Sequence, residues 1–421
     1  MTIETLHAHY LKCKSISTDT RNSSNNCMFF ALKGGNFNGN TFAEDAISKG
    51  AAFAIIDDIK HKINGQYLLV DDVLIALQNL ALFHRKYLNI PIISLTGSNG
   101  KTTTKELIKA VLSTTYKTIA TKGNLNNHIG VPLTLLSMDS TTEIGVVEMG
   151  ANHQKEIEFL STIALPDYGL ITNFGKAHLE GFEGLEGVIK GKSELYQHLK
   201  THNKTIFINQ SDKLQLKQVG AYEHIKTFSS QTKLLKSQPY VAINYKKQTI
   251  STHLTGVYNY NNVCAAIALG EHFNVSTSNI IKGITDYIPN NNRSQIIDKN
   301  SHQIILDAYN ANPTSMLAAL SNFNQLSNKN KVVILGDMFE LGKTAKEEHQ
   351  HISDYVNGLN LQRVIFIGDH FYHITSKDSN SSYFKTYKDF KDSFGTFNFE
   401  NQLFLIKGSR GMALERVLDL I

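Results

Sequence analysis

Short apolar segments rich in β-branched residues alternate with helical patterns along most of the chain. Residues 92–95, 143–147 and 168–172 are short apolar runs, as is typical of strands covered on both faces in a parallel sheet. Residues 51–56 predict an earlier buried strand, and the Leu- and Ala-rich stretch 73–87 predicts a helix. This alternation of strands and helices predicts an α/β fold.

Three further strands are predicted near the end of the chain, at residues 332–335, 364–367 and 403–406. The first two strands are followed by Gly-Asp, and the third is followed by Lys-Gly. A strand, a glycine beside a polar residue and then a helix are the units of a doubly wound α/β domain, whose ligands bind at the carboxyl ends of the strands. The sequence therefore predicts a second α/β domain in this region.

Changes in composition divide the chain into three predicted domains. The Leu- and Ala-rich helix closes the first domain, and the Asn-rich stretch 289–292 is interpreted as a linker before the third. The more polar stretch 200–255 is interpreted as an insertion or a small accessory sheet within the second domain. We expect the domains to span residues 1–88, 89–297 and 298–421.

The sharpest local motif follows the strand at 92–95. It reads Thr96-Gly97-Ser98-Asn99-Gly100-Lys101-Thr102-Thr103 and leads into a helix with one apolar face. A strand, a glycine-rich loop and a helix form a phosphate-binding loop, in which backbone N–H groups and the helix N-terminus meet the phosphates. Leu95 stands where the usual GxxxxGK[ST] motif has its first glycine. We expect Lys101 to reach the β- and γ-phosphates of ATP and Thr102 to ligate Mg²⁺.

Polar residues beyond this loop are candidates for metal chemistry. Glu148 ends an apolar strand, where a metal-holding carboxylate would lie beside the loop, and His178 follows the carboxyl end of the next strand. Taken alone, Lys192 is interpreted as a surface lysine near the start of a helix. We also expect His349 and His351 to lie on the surface and the three cysteines to be structural.

Composition narrows the class of protein. The 421 residues are 41% hydrophobic, which supports several buried cores. The 42 basic and 37 acidic residues leave a net charge of only +5, spread without a basic run, so nucleic acid is not an expected partner. The three widely spaced cysteines exclude a disulfide scaffold and a Cys-rich zinc site. Because no apolar run approaches the about 18 residues of a membrane span and the start lacks a signal-peptide core, we expect a cytoplasmic protein.

The order of the motifs resembles that of the Mur ligase superfamily, ATP-dependent amide-forming enzymes of bacterial cell-wall synthesis. The resemblance covers nearly the whole chain and implies three domains, with a central P-loop ATPase-type parallel sheet and a C-terminal doubly wound α/β domain. The segments that carry it are 94–104 (SLTGSNGKTTT), 123–136 (GNLNNHIGVPLTLL), 147–151 (VEMGA), 173–180 (NFGKAHLE), 307–313 (DAYNANP), 335–342 (LGDMFELG) and 407–412 (KGSRGM). Leu306 and Ala308 depart from the (D)DSYNANP signature of the family.

The resemblance implies roles for individual residues. The catalytic residues it implies are Lys101, His178 and Lys192. The implied ligands of two Mg²⁺ ions are Thr102, Glu148, His178 and, if it is carbamylated by CO₂, Lys192. The implied ATP-binding residues are Gly97, Ser98, Asn99, Gly100, Lys101, Thr102, Thr103, Asn259, Asn262, Arg293 and Asp307. The implied substrate-binding residues are Thr20, Arg21, Asn124, Asn126, Asn127, Asp337 and Lys407. Tyr258 replaces the His of the family's HNxxN segment, which puts the role of that position in doubt.

The last three segments favour the branch of the family that joins D-alanyl-D-alanine to UDP-N-acetylmuramoyl-tripeptide. In that chemistry the γ-phosphoryl group of ATP turns the substrate carboxylate into an acyl phosphate, from which the amine displaces phosphate. The resemblance implies that the first domain binds the UDP-linked substrate, the second binds ATP and the third brings the dipeptide. We expect a monomer that acts on small molecules, without nucleic-acid or membrane partners.

Other functions share part of this pattern. A sister ligase for another amino acid, or a folylpolyglutamate synthase, would use the same ATP chemistry, but the segments 307–313 and 335–342 argue against both. A nucleotide-regulated binding protein that hydrolyses ATP slowly would need neither His178 nor Lys192. A kinase stays open, because the lack of a second recognisable acceptor-hydroxyl motif is only mild evidence against it.

Overall fold

The computed structural model describes residues 1–21, 24–290, 292–327, 330–375 and 381–421. Part of the linker predicted at 289–292 therefore lies outside the described residues. In the first unit the strands are β1 (Ser15–Ser17), β2 (Cys27–Phe30), β3 (Lys33–Gly34), β4 (Phe37–Asn38), β5 (Phe53–Ile56) and β6 (Tyr67–Leu69), and the helices are α1 (Ile3–Tyr10), α2 (Ala43–Ser48) and α3 (Val73–Leu88). Strands β1, β2, β5 and β6 pair in that order in a parallel sheet, and β3 and β4 form a small hairpin.

The central unit is built on a six-stranded parallel sheet. Its strands are β7 (Ile92–Thr96), β8 (Thr118–Ala120), β9 (Ile144–Glu148), β10 (Tyr168–Ile171), β11 (Thr205–Asn209) and β12 (Ile225–Phe228), followed by β13 (Thr232–Lys236), β14 (Ala242–Tyr245) and β15 (Gln248–Ser251). Its helices are α4 (Lys101–Leu112), α5 (Gly130–Leu135), α6 (Glu156–Ala164), α7 (Leu179–Phe182), α8 (Leu185–Thr201), α9 (Lys213–Val219), α10 (Tyr258–His272) and α11 (Thr277–Thr285). The order of the main sheet is β12-β11-β10-β7-β9-β8.

The structure corrects the interpretation of residues 200–255. Only β13, β14 and β15 form a separate antiparallel sheet, whereas β11 and β12 extend the main parallel sheet. The polar appearance of the region has a physical reason: β12 lies at the edge of the sheet, and two of its four residues are exposed. An edge strand needs fewer apolar side chains than a central one.

The third unit has a mixed sheet whose parallel part confirms the predicted doubly wound fold. Its strands are β16 (Gln295–Lys299), β17 (His302–Asp307), β18 (Lys331–Gly336), β19 (Arg363–Ile367), β20 (Ser381–Phe384) and β21 (Leu403–Lys407), and its helices are α12 (Pro313–Asn324), α13 (Ala345–Asn357), α14 (Asp369–Tyr372) and α15 (Tyr387–Ser393). The order is β16-β17-β21-β18-β19-β20, with only the β16–β17 pair antiparallel. We propose domain boundaries after residues 88 and 297, with β16 crossing the second.

The position of β7 decides where a ligand can bind in the central unit. Strand β7 lies between β9 and β10 in the sheet. From β7 the chain continues to β8 on one side of the sheet, whereas from β10 it continues to β11 on the other side. The helices that leave β7 and β10 therefore diverge at the carboxyl edge of the sheet and leave a crevice there, as at the switch point of other open α/β sheets. The pairing of Leu95 with Glu148 brings that carboxylate to the same edge. None of the helices in the described part of the chain is long and apolar enough to cross a bilayer.

Helix α3 joins the first unit to the central one through a buried ion pair. The Arg85 guanidinium lies 2.7 Å from the carboxylate of Asp167 and also donates to the carbonyl oxygens of Ala164 and Leu165, at 3.0 Å each. Asp167 also accepts a hydrogen bond from Lys204 at 2.7 Å. Because the Arg85 side chain is only 8% exposed, removing it takes a buried donor from the two carbonyl oxygens, while the Asp167 carboxylate keeps the backbone N–H of Ile92 at 3.1 Å.

We expect Arg85→Met to lower the free energy of unfolding by about 2 kcal/mol, less than a fully isolated pair because Asp167 keeps Lys204. Thermal and urea unfolding of the purified variant measure the change. The control is Lys282→Met, which breaks the exposed pair with Asp286 on α11 and should leave the melting temperature unchanged. Identical melting temperatures for the wild type and Arg85→Met would contradict a role of this pair in joining the units.

Candidate active site

A cavity of about 1000 Å³ opens at the carboxyl edge of the central sheet and is lined by all three units. Helix α3 contributes Leu74 and Gln78 to its wall. Of the residues predicted from the sequence, those that line it are Ser98, Asn99, Gly100, Lys101, Thr102, Thr103, Asn124, Asn126, Asn127, Glu148, His178, Asn259, Asn262, Arg293, Asp307 and Lys407. The fold thus brings most of the predicted residues together, although they are spread over more than 300 positions of the chain.

Two glycines give the phosphate loop its shape. Gly97 and Gly100 have φ angles of 142° and 79°, in the region that side chains disfavour. A Cβ atom on Gly97 would lie 2.0 Å from Oγ1 of Thr172, which itself donates a hydrogen bond to the carbonyl of Asn99 at 2.6 Å. The loop can therefore follow this path only with glycine at position 97.

Lys101 lies at the first residue of α4, with its side chain folded over the loop. Its Nζ donates a hydrogen bond to the carbonyl oxygen of Gly97 at 2.7 Å. Burial lowers the pKa of Lys101, and the nearby charge of Glu148 opposes that shift. An anion placed at the loop would meet both this ammonium group and the N-terminal end of α4.

Among the buried oxygen atoms that have no hydrogen-bond partner in the described residues, two belong to residues that line the cavity beside the loop. They are Oγ1 of Thr102 and Oε2 of Glu148. The two residues are 4% and 1% exposed. The other carboxylate oxygen of Glu148 accepts a hydrogen bond from Asn126 at 2.8 Å. Hydroxyl and carboxylate oxygens are the ligands that Mg²⁺ prefers, and an unsatisfied buried carboxylate oxygen is costly without a cation. The chemistry of this pair fits the predicted Mg²⁺ site.

His178 contacts the third unit. Its Nδ1 is hydrogen-bonded to Oε2 of Glu340, and this contact holds the pKa of the Glu340 carboxyl below its usual range. Since an ionised carboxylate can only accept, Nδ1 carries the proton, and in the neutral ring Nε2 is left with its lone pair. The ring lines the cavity with that free position available to a ligand.

Lys192 is buried, which corrects the interpretation of this residue as a surface lysine. It lies on the inner face of α8, fully inaccessible to solvent, with Nζ donating to the carbonyl of Ala151 at 3.0 Å and standing 4.8 Å from the ring centre of Phe182. Burial, together with the charge of Lys101, lowers the pKa of Lys192 well below its ordinary value.

Within the described ranges, no cluster of three His, Cys, Asp or Glu side chains is arranged to hold a metal.

The residues predicted to meet the nucleotide line the cavity on both sides of the junction with the third unit. On α10, Asn262 donates to the side chain of Asn259 at 2.8 Å and accepts from the Thr104 hydroxyl at 3.0 Å. Across the junction, the carboxylate of Asp307 accepts from Nζ of Lys407 at 2.5 Å. These hydrogen bonds fix the side chains before any ligand binds.

Three predicted substrate-binding residues lie elsewhere. Asp337 does not line the cavity, and its buried carboxylate accepts the backbone N–H groups of His370 and Phe371 at 2.9 and 3.0 Å; its role with a substrate stays a prediction. Thr20 and Arg21 lie in the first unit, away from the cavity wall, and Arg21 is exposed and paired with Asp19 at 2.7 Å. Their role with a substrate stays a prediction.

The prediction that His349 lies on the surface is wrong. His349 is completely buried on α13, where Nε2 accepts the Met338 N–H at 3.0 Å and Nδ1 is bonded to the Ala345 carbonyl at 2.7 Å. Burial lowers the pKa of His349, as expected for a ring that must stay neutral to accept. The side chain of His351, by contrast, is 55% exposed.

Sequence reasoning gave no role to Asn312, which joins the third unit to the phosphate loop. Its side-chain amide donates to Oδ1 of Asn99 at 2.8 Å, while its own Oδ1 caps α12 through the Ser315 N–H at 2.9 Å. Asn312 and Glu340 both belong to segments that carry the family resemblance, 307–313 and 335–342, so the sequence does mark them as candidates. Their contacts with Asn99 and His178 follow only from the packing of the third unit against the central one.

Family models match three consecutive parts of the chain. The Mur ligase family catalytic domain matches residues 12–96, the Mur ligase middle domain matches 95–270, and the Mur ligase glutamate ligase domain matches 292–393. A UDP-N-acetylmuramoyl-tripeptide–D-alanyl-D-alanine ligase of Bacillus subtilis is 36% identical over 96% of this chain and 93% of its own length. The chain belongs to the Mur ligase family. An Escherichia coli ligase of the same name is 31% identical, over 96% of this Mur ligase and 92% of its own length.

Solved structures agree with this Mur ligase along its whole length. A crystal structure of MurF from Acinetobacter baumannii is 30% identical, covers 100% of this chain and 98% of its own, and superimposes with a TM-score of 0.86. A MurF ligase from Thermotoga maritima in complex with ADP has the same fold, with a TM-score of 0.83 at 24% identity over 98% of this chain and 97% of its own. The predicted fold class, with three domains and parallel sheets, is confirmed.

We expect Gly97→Ala to weaken ADP binding by more than tenfold, because the new Cβ must displace Thr172 and the loop cannot keep its path. Isothermal titration calorimetry with ADP measures the loss. The control is Gly220→Ala, which has a positive φ of 63° but open space around the Cβ. An affinity of Gly97→Ala within twofold of the wild type would show that the loop does not hold the phosphates.

Proposed function

We propose that this Mur ligase joins D-alanyl-D-alanine to UDP-N-acetylmuramoyl-tripeptide, with conversion of ATP to ADP and phosphate. The observation that carries the proposal is a single cavity lined by the phosphate loop, by Leu74 and Gln78 of the first unit and by polar residues of the third unit. Relatives at 31–36% identity over nearly their full length carry the name of this ligase. The cavity volume of about 1000 Å³ suits more than one substrate at a time.

The reaction requires two anions to approach each other. A carboxylate is a poor target for an amine because oxide would have to leave, so transfer of the γ-phosphoryl group first converts it into an acyl phosphate and releases ADP. The amine then attacks the carbonyl carbon, loses a proton and expels phosphate. The ammonium group of Lys101 and the N-terminus of α4 would offset the repulsion in the first step and stabilise the charge on the transferring phosphoryl group.

Thr102 and Glu148 are the residues that would hold Mg²⁺ at the phosphates, since their free buried oxygens face the cavity. When bound, Mg²⁺ neutralises phosphate charge and orients the phosphoryl group for in-line transfer. His178, with Nε2 free and Nδ1 fixed by Glu340, is the candidate ligand for a second ion. Asn126 keeps the Glu148 carboxylate turned toward the loop.

A carbamylated Lys192 is part of the proposal. Because burial and Lys101 favour its neutral amine, Nζ keeps the lone pair that adds to CO₂, forming an N–C bond with loss of one proton. The product is an anion at a buried position, near the positive charge of Lys101 and the negative charges of Glu156 and Glu194. It would serve as a negative metal ligand longer than Asp or Glu.

Contacts between the central and third units explain how water is kept from the acyl phosphate. The segment after β10 holds the third unit through Lys176, which pairs with Glu348 at 2.6 Å, and through His178 with Glu340. The backbone N–H of Lys176 also donates to Thr314 Oγ1 at 3.0 Å. This docking covers one side of the cavity and protects a reactive intermediate from hydrolysis.

That the chain works as a cytoplasmic monomer stays a prediction.

We expect phosphate release to require UDP-N-acetylmuramoyl-tripeptide and D-alanyl-D-alanine together with ATP, because the acyl phosphate forms only on the tripeptide carboxylate and turns over only with the amine. A coupled phosphate assay measures release, and mass spectrometry identifies the UDP-linked pentapeptide. Release that is indifferent to the dipeptide would contradict the proposed acceptor. The assay would then be repeated with other amino acids and with folates as acceptors.

We expect Lys192→Ala to lower kcat by at least about 100-fold, because the buried site loses the group that becomes an anion. Added acetate or formate should restore part of the activity, and ¹³C NMR in ¹³C-bicarbonate should show a carbamate signal only in the wild type. The control is Lys190→Ala, which changes an exposed lysine of the same helix and should be fully active. Full activity of Lys192→Ala, or a carbamate signal that persists in it, would overturn the carbamate proposal.

A further inference from the structure

Tyr258 forms a hydrogen bond at the junction between the central and third units, with the segment that leads into β16. It is the first residue of α10, and its hydroxyl lies 2.7 Å from Oγ of Ser294, the residue directly before β16. Both residues line the cavity, beside Asn259 of the same helix. The family pattern has a His at this position. The hydrogen bond to Ser294 indicates that the Tyr hydroxyl serves to hold the segment before β16.

Ser294 has an unusual backbone conformation that needs support. Its φ angle is +50°, in the left-handed region that non-glycine residues adopt when their surroundings fix them, and it is only 6% exposed. Its N–H donates to Oδ1 of Asp307 at 3.2 Å, and its side chain meets Tyr258. The backbone is thus held from the third unit and the side chain from the central unit.

The conformation of Ser294 determines where its neighbour Arg293 lies. The Arg293 guanidinium stacks on the ring of Tyr309 with its central carbon 3.7 Å from the ring centre, and both residues line the cavity. The Nε atom of Arg293 is buried and has no hydrogen-bond partner within the described ranges. A change at Ser294 would rotate this donor and shift Asp307, since both are joined to it directly.

We propose that Tyr258 is a positioning residue for the nucleotide, whose hydroxyl holds Ser294 in its left-handed conformation so that Arg293 and Asp307 face the ligand. The proposal rests on the proposed function only in requiring that an adenine nucleotide bind in this cavity. Tyr258 acts through Ser294, and its effect is on nucleotide affinity. The dipeptide site and the chemistry of the acyl phosphate do not depend on it.

The experiment is to measure ADP affinity by calorimetry for the wild type, Tyr258→Phe, Ser294→Ala and the double variant. Tyr258→Phe keeps the ring and removes only the hydroxyl, so we expect about fivefold to tenfold weaker binding, the usual effect of one lost hydrogen bond. Ser294→Ala should cost a similar factor, and the double variant no more than either one, because both remove the same contact. In the ligase assay, KM for ATP should rise while kcat and KM for the dipeptide stay within twofold.

The matched control is Tyr260→Phe. Its hydroxyl lies on the same helix and is bonded to Thr232 at 2.9 Å, outside the cavity, so its removal should leave ADP affinity unchanged. Should the wild type fail to bind ADP, the proposed function is wrong. If the wild type binds but Tyr258→Phe stays within twofold, or if the losses in the double variant multiply, the positioning role is wrong. Equal rises in KM for ATP and for the dipeptide would overturn it as well, since they would indicate a general change of fold.

Discussion

The rest of the site depends on two lysines that the fold keeps partly or wholly out of water. Lys101 and Lys192 both have lowered pKa values because burial disfavours the charged form, and the charge of Lys101 adds to the shift of Lys192. Of the two, Lys101 lines the cavity, and a desolvated ammonium group there is unfavourable until an anion lies beside it. Phosphate groups supply such an anion, so Lys101 and the N-terminus of α4 are electrostatically complementary to them. The parallel sheet makes this possible, because α4 starts at the same edge where Glu148 ends its strand.

The same edge also receives the third unit. Lys176 and His178 follow β10 and meet Glu348 and Glu340, while Asn312 meets Asn99 in the phosphate loop itself. Each contact joins a residue next to the predicted nucleotide or metal site to a polar residue of another unit. The contacts of Asn99 and His178 show that domain docking and the proposed nucleotide and metal sites share side chains. This explains why the segment after β10 carries so many polar residues in a short stretch.

The sequence was most informative where one short segment contains the whole physical cause. The phosphate loop needs only a strand, two glycines and a helix, and all of these lie between residues 92 and 112. Sequence reasoning was less informative where the cause is long-range. Asp337 directly follows β18, but its contacts with the backbone N–H groups of His370 and Phe371 at the start of α14 could not be predicted from its own segment. Lys192 had a usable signal: Val188 and Leu195, four residues before it and three after, are buried on the same face of α8.

The reach of the cavity explains why a phosphate loop alone does not determine the reaction. Its volume of about 1000 Å³ lies at the upper end of the range for small-molecule sites, and its wall continues past the loop to Leu74 and Gln78 on α3 and Phe159 on α6. This part of the wall is formed by the first and central units and is partly apolar, unlike the phosphate loop. It suits the body of a large second substrate whose carboxylate must reach the loop. The phosphate loop thus supplies chemistry that many enzymes share, so the choice of what is phosphorylated must depend on other parts of the cavity wall.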